Sequence, residues 1–150
     1  MEEPSFQVAV LRPPMIYGPG CKGNYPRLRE LVLKAPFFPR VHNQRSMLYV
    51  GCLCDFVLRL VESGRGGLYF PQNHAYVSTD ALAREIARAH GKKLWQPAGM
   101  GWLLQTLGGR ISLFGKLFGS LTYDQSMSRA FQEEPQPDFA ATIARTEEAQ

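Results

Sequence analysis

The chain contains 150 residues, of which 45% are hydrophobic and 20% are charged, and its formal net charge is +4. This length can bury one hydrophobic core, and the balance of apolar and charged residues excludes an intrinsically disordered chain. We therefore expect a single domain.

Three cysteines, Cys21, Cys52 and Cys54, are present, and their number is odd. We expect no disulfide framework, because one thiol would stay unpaired and no cationic and then apolar leader opens the sequence. No set of cysteines and histidines has the spacing of a zinc site, so we expect no metal. These features are typical of a protein of the reducing cytoplasm.

The charge is distributed unevenly along the chain. Residues 132–150 carry a net charge of −4, so the remainder carries +8. A basic body can attract a phosphorylated small molecule, an anionic lipid surface or nucleic acid, although an ordinary solvated surface explains the charge equally well. The cations are scattered without an aromatic and basic recognition signature, so we expect no nucleic-acid partner.

The hydrophobic pattern predicts an α/β chain that begins with a strand. Residues 7–11 are short, apolar and bounded by prolines, which is typical of a buried strand. A helix is predicted over residues 25–34, and extended segments over residues 37–41 and 46–50. An amphipathic helix ending at Gly64 follows, predicted by five apolar residues at helical spacing: Leu53, Phe56, Val57, Leu60 and Val61.

Shorter elements are predicted in the rest of the chain. Residues 67–70 and 75–77 are strand candidates, and Ser78 or Thr79 caps a helix that stops at Gly91. Residues 100–121 combine a helical apolar stripe with many glycines and with Gln105, Arg110 and Lys116, which disfavours a membrane span. We expect one helix, or a pair of helices with a break between them, packed on the core or on a missing half of the protein. The alternative is a helix that lies on a membrane surface.

Gly18, Gly20 and Gly23 match the dinucleotide fingerprint Gly-x-Gly-x-x-Gly. In such a site the first glycine follows a strand directly, and an acidic residue about 20 residues later binds the ribose. Here residues 12–17 separate the predicted strand from Gly18, and no acidic residue lies between Glu30 and Asp55. We predict a substrate-side loop rather than a cofactor site.

Four stretches, in this order and spacing, carry a resemblance to a known family: Val-Leu-Arg-Pro-Pro-Met-Ile-Tyr-Gly-Pro at 10–19, Gly-Asn-Tyr at 23–25, Arg-Ser-Met-Leu-Tyr-Val at 45–50 and Tyr-Phe-Pro-Gln-Asn at 69–73. They resemble the C-terminal half of the extended short-chain dehydrogenases/reductases, the NAD-dependent epimerase/dehydratase family of the UDP-glucose 4-epimerase type. The resemblance implies an α/β substrate-binding part that keeps the last strand or strands of the Rossmann sheet and lacks the N-terminal dinucleotide-binding half. Within one lobe of residues 1–150, residues 1–12 would be the remnant strand, 13–131 the substrate lobe and 132–150 an acidic C-terminal segment.

The family also implies roles by position. Pro13 would lie against the nicotinamide, and Met15 stands where family members often carry an asparagine that contacts the sugar. Asn24 matches a position that helps to hold the substrate diphosphate, and Arg45 matches the arginine that pairs with it. A guanidinium suits that role because its planar donors engage phosphate oxygens bidentately. The alternative for Arg45 is a surface strand arginine.

Two departures from the family pattern bear on catalysis. Gly51 and Cys52 stand where the family usually shows Asp followed by Asp or Asn. The contacts that the family's aspartate makes are therefore missing here. The family uses a tyrosine as acid and base with a lysine four residues later, and none of the six tyrosines has that lysine. The resemblance therefore implies no catalytic residue in this chain and no tight binding of NAD, the cofactor of the intact family.

Two classes of function remain open from the sequence. The first is the nucleotide-sugar-binding portion of an NAD-dependent epimerase/dehydratase, inactive without its cofactor half. The second is an independent interaction or membrane-surface module that uses residues 100–121. The expected partners are a nucleotide-diphosphate sugar, the missing N-terminal Rossmann half and, for exposed apolar surface, a second copy of the chain. We do not expect the chain to bind a membrane.

Overall fold

The structure is a computed structural model that describes residues 6–97, 119–126 and 135–149. Within these ranges the elements are, in chain order, β1 (Ala9–Leu11), β2 (Met15–Tyr17), α1 (Asn24–Lys34), β3 (Met47–Tyr49), α2 (Val50–Ser63), β4 (Gly67–Tyr69), α3 (Thr79–Ala89) and α4 (Phe139–Glu148). This is the α/β class that the hydrophobic pattern predicts.

The strands form two parallel pairs. β1 lies beside β4 with Ala9 opposite Gly67, and β2 lies beside β3 with Met15 opposite Met47. Parallel neighbours require a long crossover, and α1 supplies it between β2 and β3. The chain then passes through α2 to reach β4 and return beside β1.

The core lies between the β2–β3 pair and three helices, α1, α3 and α4. Its large buried members are Tyr17, Tyr25, Leu28, Val32, Phe38, Met47, Leu82, Ile86 and Ile143. Burying an aliphatic side chain of this size contributes about 1.5–3 kcal/mol to stability. The three helices therefore fix the position of β2 and β3, and with them the ends of both strands.

The outer pair, β1–β4, is largely uncovered. Val8 is 57% exposed, Val10 45% and Leu68 48%. The prediction of a buried strand at residues 7–11 is therefore wrong about burial, although a strand forms over part of that range. The backbone pairs with β4, but the described residues leave the side chains of Val8 and Val10 about half exposed. Parallel strands occur almost only in sheets with both faces covered.

The helices predicted over residues 25–34, up to Gly64 and up to Gly91 are confirmed, together with the caps predicted for the last two. Ser78 caps α3, where its Oγ accepts from the amide of Ala81, and Gly64 and Gly91 adopt positive φ angles of 60° and 63° after α2 and α3. α2 buries less of its apolar face than its spacing predicts, because Val61 is 72% exposed. α2 therefore leaves apolar side chains exposed, as the β1–β4 pair does.

Two strand predictions are wrong. In residues 37–41, Phe37 forms an isolated bridge with Trp95 and no regular strand follows, because Pro36 and Pro39 lack amide donors. Residues 75–77 reduce to a bridge between Val77 and Arg45. Conversely, β2 forms within a proline and glycine stretch for which no strand was predicted.

α4 forms within the C-terminal segment, for which only an acidic character was predicted. The side chain of Asp138 caps it by accepting from the amide of Ala141, and Ile143 is fully buried. The helix predicted over residues 100–121 lies outside the described residues, apart from its last three. No helix in the described part of the chain is both long and apolar enough to cross a membrane.

Candidate functional site

Three of the four sequence-predicted site residues lie at the amino-terminal edge of β2–β3. Met15 is the first residue of β2 and faces Met47 across the pair. Pro13 and Arg45 precede β2 and β3 by two residues each, and because the strands are parallel both residues belong to the same edge. The fourth, Asn24, begins α1 after the turn that leaves the opposite end of β2.

Arg45 is buried and contributes to the structure around it. Only 7% of the residue is exposed, so it is not a surface strand arginine. Its backbone pairs with that of Val77 in both directions at 3.0 Å, and its Nη1 donates to the carbonyl oxygen of Gly119 at 3.1 Å. Burial lowers the pKa of the guanidinium, although an arginine of this kind keeps its charge at neutral pH.

The glycine turn differs from the expectation in one respect. β2 ends at Tyr17, so Gly18 does follow a strand directly, and the first ground for declining a dinucleotide site is wrong. The second ground holds, because β3 ends at Tyr49 and the first carboxylate after it is Asp55, an exposed residue one turn into α2. A dinucleotide site needs that carboxylate at the strand end to bind the ribose, so the residues present do not fit NAD at this turn.

The carboxyl-terminal edge of β2–β3 carries a network of polar side chains. The hydroxyl group of Tyr17 lies 2.8 Å from Oγ1 of Thr142, and Nδ2 of Asn73 donates to it at 3.2 Å. Oδ1 of Asn73 accepts from the backbone amide of Tyr49 at 3.1 Å. Asn73 therefore joins the ends of β2 and β3, and Thr142 joins both to α4.

A cleft of about 340 Å³ opens at this same edge. It is lined by Tyr17, Tyr49, Cys52, Asn73, His74, Ala75, Val77, Pro135, Gln136, Pro137, Phe139 and Thr142. The wall on one side is held by Gln136, whose Oε1 accepts from the amide of His74 at 2.9 Å. The cleft opens at the edge opposite to Arg45 and extends along the strand pair to Val77, whose backbone pairs with that of Arg45.

A second polar cluster surrounds Glu147 of α4. Tyr25 and Arg29 of α1 donate to its two carboxylate oxygens, and Nε2 of His90 lies against one of them, each at 2.6 Å. Burial by itself would raise the pKa of Glu147, but the hydrogen bonds from Tyr25, His90 and Arg29 outweigh it, so the pKa is lowered. The cluster stabilises the ionised carboxylate and joins α4 to α1 and α3.

Neither buried tyrosine has the properties of a catalytic acid and base. Burial raises the pKa of Tyr17, and burial together with the adjacent Glu147 raises that of Tyr25. A general acid or base works best with a pKa near the operating pH, so these shifts have the wrong sign. Burial likewise raises the pKa of the Cys52 thiol, which disfavours a nucleophilic thiolate.

Neither polar network was predicted from the sequence. Asn73 stood in one of the resemblance stretches, but without an assigned role. Thr142 and Glu147 gave no local signal, because their partners Tyr17 and Tyr25 are 125 and 122 residues away. A hydrophobic pattern around α4 could have suggested a helix, but not its contacts.

The chain is similar in sequence to UDP-glucose 4-epimerase of Vibrio cholerae. The two are 32% identical over 123 residues, which cover 79% of this chain and 35% of the relative. The chain belongs to the NAD-dependent epimerase/dehydratase family of extended short-chain dehydrogenases/reductases. No protein-family model matches the sequence.

Solved structures of this epimerase/dehydratase family share the fold. A dTDP-glucose 4,6-dehydratase from Bacillus anthracis in complex with NAD superposes with a TM-score of 0.61 at 18% identity, covering 95% of this chain and 44% of the other. A variant of UDP-glucuronic acid 4-epimerase from Bacillus cereus, bound to UDP-4-deoxy-4-fluoro-glucuronic acid and NAD, gives 0.64 at 13% identity, covering 94% and 44%. The chain therefore spans about a third to under half of the length of these relatives, in agreement with a partial fold of the extended type.

Proposed function

We propose that this chain is the nucleotide-sugar-binding part of an NAD-dependent epimerase/dehydratase and that it acts only together with a cofactor-binding part. The uncovered β1–β4 pair is the observation that carries the proposal. Two parallel strands with Val10 and Leu68 exposed lack, within the described part of the chain, the cover that parallel sheets normally have. The epimerase relative is also about three times as long as the matched region. The three cysteines are free, which agrees with our proposal of the reducing cytoplasm as its compartment.

Within this proposal, Arg45 is the main ligand of the substrate diphosphate and Asn24 assists. The guanidinium sits in a largely buried setting, where an interaction between unlike charges is stronger than in bulk water. Asn24 begins α1, whose first turn contains no acidic side chain, so the helix end remains favourable to an anion. Pro13 would lie against the nicotinamide, and Met15 would contact the sugar through its apolar thioether.

NAD itself would be held by the cofactor-binding part, where it supplies hydride transfer. The turn after β2 lacks the carboxylate for a ribose, so the chain on its own should not bind NAD tightly. Calorimetric titration with NAD should show no micromolar affinity, and mixing the chain with NAD and UDP-glucose should produce no turnover. Micromolar binding of NAD by the chain alone would contradict this and would return Gly18 and its loop to consideration as a cofactor site.

The role of Arg45 is tested by binding of UDP-glucose to the chain joined with a cofactor-binding part of the family. Because charged hydrogen bonds contribute roughly 1.5–3 kcal/mol, Arg45→Ala should weaken binding by roughly one to two decades. Lysine should restore only part of the loss, since its ammonium acts as a point charge. Arg40→Ala, at an exposed arginine nearby in sequence, is the matched control and should leave affinity unchanged.

Arg45 is buried, so its replacement can also unfold the protein. Circular dichroism of Arg45→Ala therefore accompanies the titration, and affinity is interpreted for folded protein alone. Unchanged affinity for UDP-glucose in a folded Arg45→Ala variant would remove Arg45 from the site.

A further inference from the structure

None of the four residues proposed to contact the nucleotide sugar or the nicotinamide lines the cleft at the carboxyl-terminal edge of β2–β3, although the backbone of its lining residue Val77 pairs with that of Arg45. Arg45 and Pro13 belong to the opposite edge of the same pair. Ligands of parallel sheets bind beyond the carboxyl ends of the strands, which is where this cleft lies. Its volume of about 340 Å³ falls within the range of small-molecule sites, roughly 300–1,000 Å³.

The lining of the cleft includes the rings of Tyr17, Tyr49 and Phe139 and no permanently charged side chain. The rings of Tyr17 and Tyr49 have centroids 5.6 Å apart at an angle of 52°, and the ring of Phe139 stands edge-on to Tyr17 at 6.2 Å. Among the described residues that line the cleft there is no aspartate, glutamate, lysine or arginine. A charged ligand would lose hydration without gaining a counter-charge, whereas a flat ring gains contact with aromatic walls.

Asn73 provides a polar group for an occupant of the cleft. Its Oδ1 accepts from the amide of Tyr49, and one of its two amide hydrogens points to the hydroxyl of Tyr17. A side-chain amide has two hydrogens, so these bonds leave one available to a carbonyl oxygen. The recognised ligand would therefore combine one planar ring with one carbonyl group.

Gly51 makes this cleft specific to the present chain. A Cβ built at Gly51 would lie 2.7 Å from Cε1 of Tyr49, so the tyrosine ring fills the space that any side chain at this position would need. The sequence resemblance places an aspartate there in most of the family. The wall formed by Tyr49 therefore depends on a departure from the family pattern.

We propose that this cleft binds a small, uncharged molecule with one planar ring and a carbonyl group, at a site separate from that of the nucleotide sugar. Such a ligand places its ring between Tyr17, Tyr49 and Phe139 and accepts a hydrogen bond from Asn73.

Benzamide is a suitable probe, and saturation-transfer NMR detects its binding even to an associating protein. A ligand of this size should bind the chain with a dissociation constant that is roughly millimolar. Benzoate, which is charged, and cyclohexanecarboxamide, which lacks the flat ring, should each bind at least about fivefold more weakly. UDP should not displace benzamide.

Variants test whether benzamide binds in the cleft. Ala75 lines the cleft and is exposed, so Ala75→Phe fills the space without disturbing the core and should weaken benzamide binding at least about tenfold. Ala89→Phe makes the same change at an exposed residue outside the cleft and should leave binding intact. Gly51→Asp should displace the ring of Tyr49 and also abolish binding.

Four results would overturn the proposal. These are no benzamide signal with the wild-type chain, equal binding of benzoate, unchanged binding in Ala75→Phe, and displacement by UDP. The comparison of benzamide with benzoate uses the wild-type chain, so it tests the proposed site even if a variant fails to fold.

Discussion

Glu147 joins α4 to α1 and α3 through hydrogen bonds of 2.6 Å, and its side chain is 3% exposed. Replacing the carboxylate by an amide keeps the volume but removes the negative charge that faces Arg29. We expect Glu147→Gln to lower the free energy of unfolding by about 2–4 kcal/mol. Glu148→Gln, at the exposed neighbour, should change it by less than about 0.5 kcal/mol. Urea denaturation measures both.

The same substitution changes the pH dependence of stability. Because folding lowers the pKa of Glu147, its contribution is fully present above the unfolded-state value of about 4.3. It is lost as the pH falls through the lower folded-state value. Below about pH 5, wild-type stability should therefore fall more steeply than that of Glu147→Gln. Parallel pH curves for the two proteins would show that the carboxylate is not stabilised by folding.

The turn that joins β2 to α1 depends on glycine for two different reasons. Gly18 has φ of 150°, and a Cβ there would lie 2.3 Å from Cγ1 of Val50, whereas Gly20 has φ of 67° and open space around it. Gly18→Ala therefore combines backbone strain with a clash and should cost about 2–4 kcal/mol of stability. Gly20→Ala should cost only about 1–2 kcal/mol. Thermal unfolding of both variants, compared with wild type, measures the difference, and equal losses would contradict the packing of Gly18 against Val50.

At the scale of elements, the sequence predicted what depends on local pattern. α1, α2 and α3 follow from apolar spacing and from stop signals such as Gly64 and Gly91, which act within a few residues. β2 was missed because its three residues lie among prolines and glycines, and its extended form depends on pairing with β3. The strand predicted at residues 37–41 failed for the converse reason, since prolines deprive apolar residues of ladder hydrogen bonds.

The candidate site was predictable only in part, and distance along the chain explains the limit. Arg45, Met15 and Pro13 fall at one strand edge because parallel register follows from the β2–α1–β3 order. The network of Tyr17, Asn73 and Thr142 joins residues from three distant segments, and no pairwise signal in a single sequence reports such contacts. The cleft depends on that network, so it could not be anticipated.

At the scale of the whole molecule, the exposed apolar residues of β1 and α2 should make the isolated chain self-associate. Phe6, three residues before β1, is 92% exposed and Val61 of α2 is 72% exposed. Among the described residues β1 pairs only with β4, so its other edge is open to pairing. Light scattering coupled to size exclusion should show a mass that rises with concentration. Val10→Lys, which places a charge on β1, should reduce this association.

Ala141→Lys is the matched control for that change, because it adds the same charge at an exposed residue of α4. Its association should equal that of the wild-type chain. A sharp monomer at high concentration in the wild type, with no response to Val10→Lys, would show that the uncovered strands do not promote association.

The long separation between α1 and α4 also sets the timing of folding during synthesis. Tyr25 and Glu147 are 122 residues apart, and a ribosome adds about 5–20 residues per second. Roughly 6 to 24 s therefore pass between the synthesis of the two residues. Throughout that interval the nascent chain carries a first helix whose tyrosine and arginine have no carboxylate to bind. A holding chaperone would therefore act on this protein at a stage when its core cannot yet close.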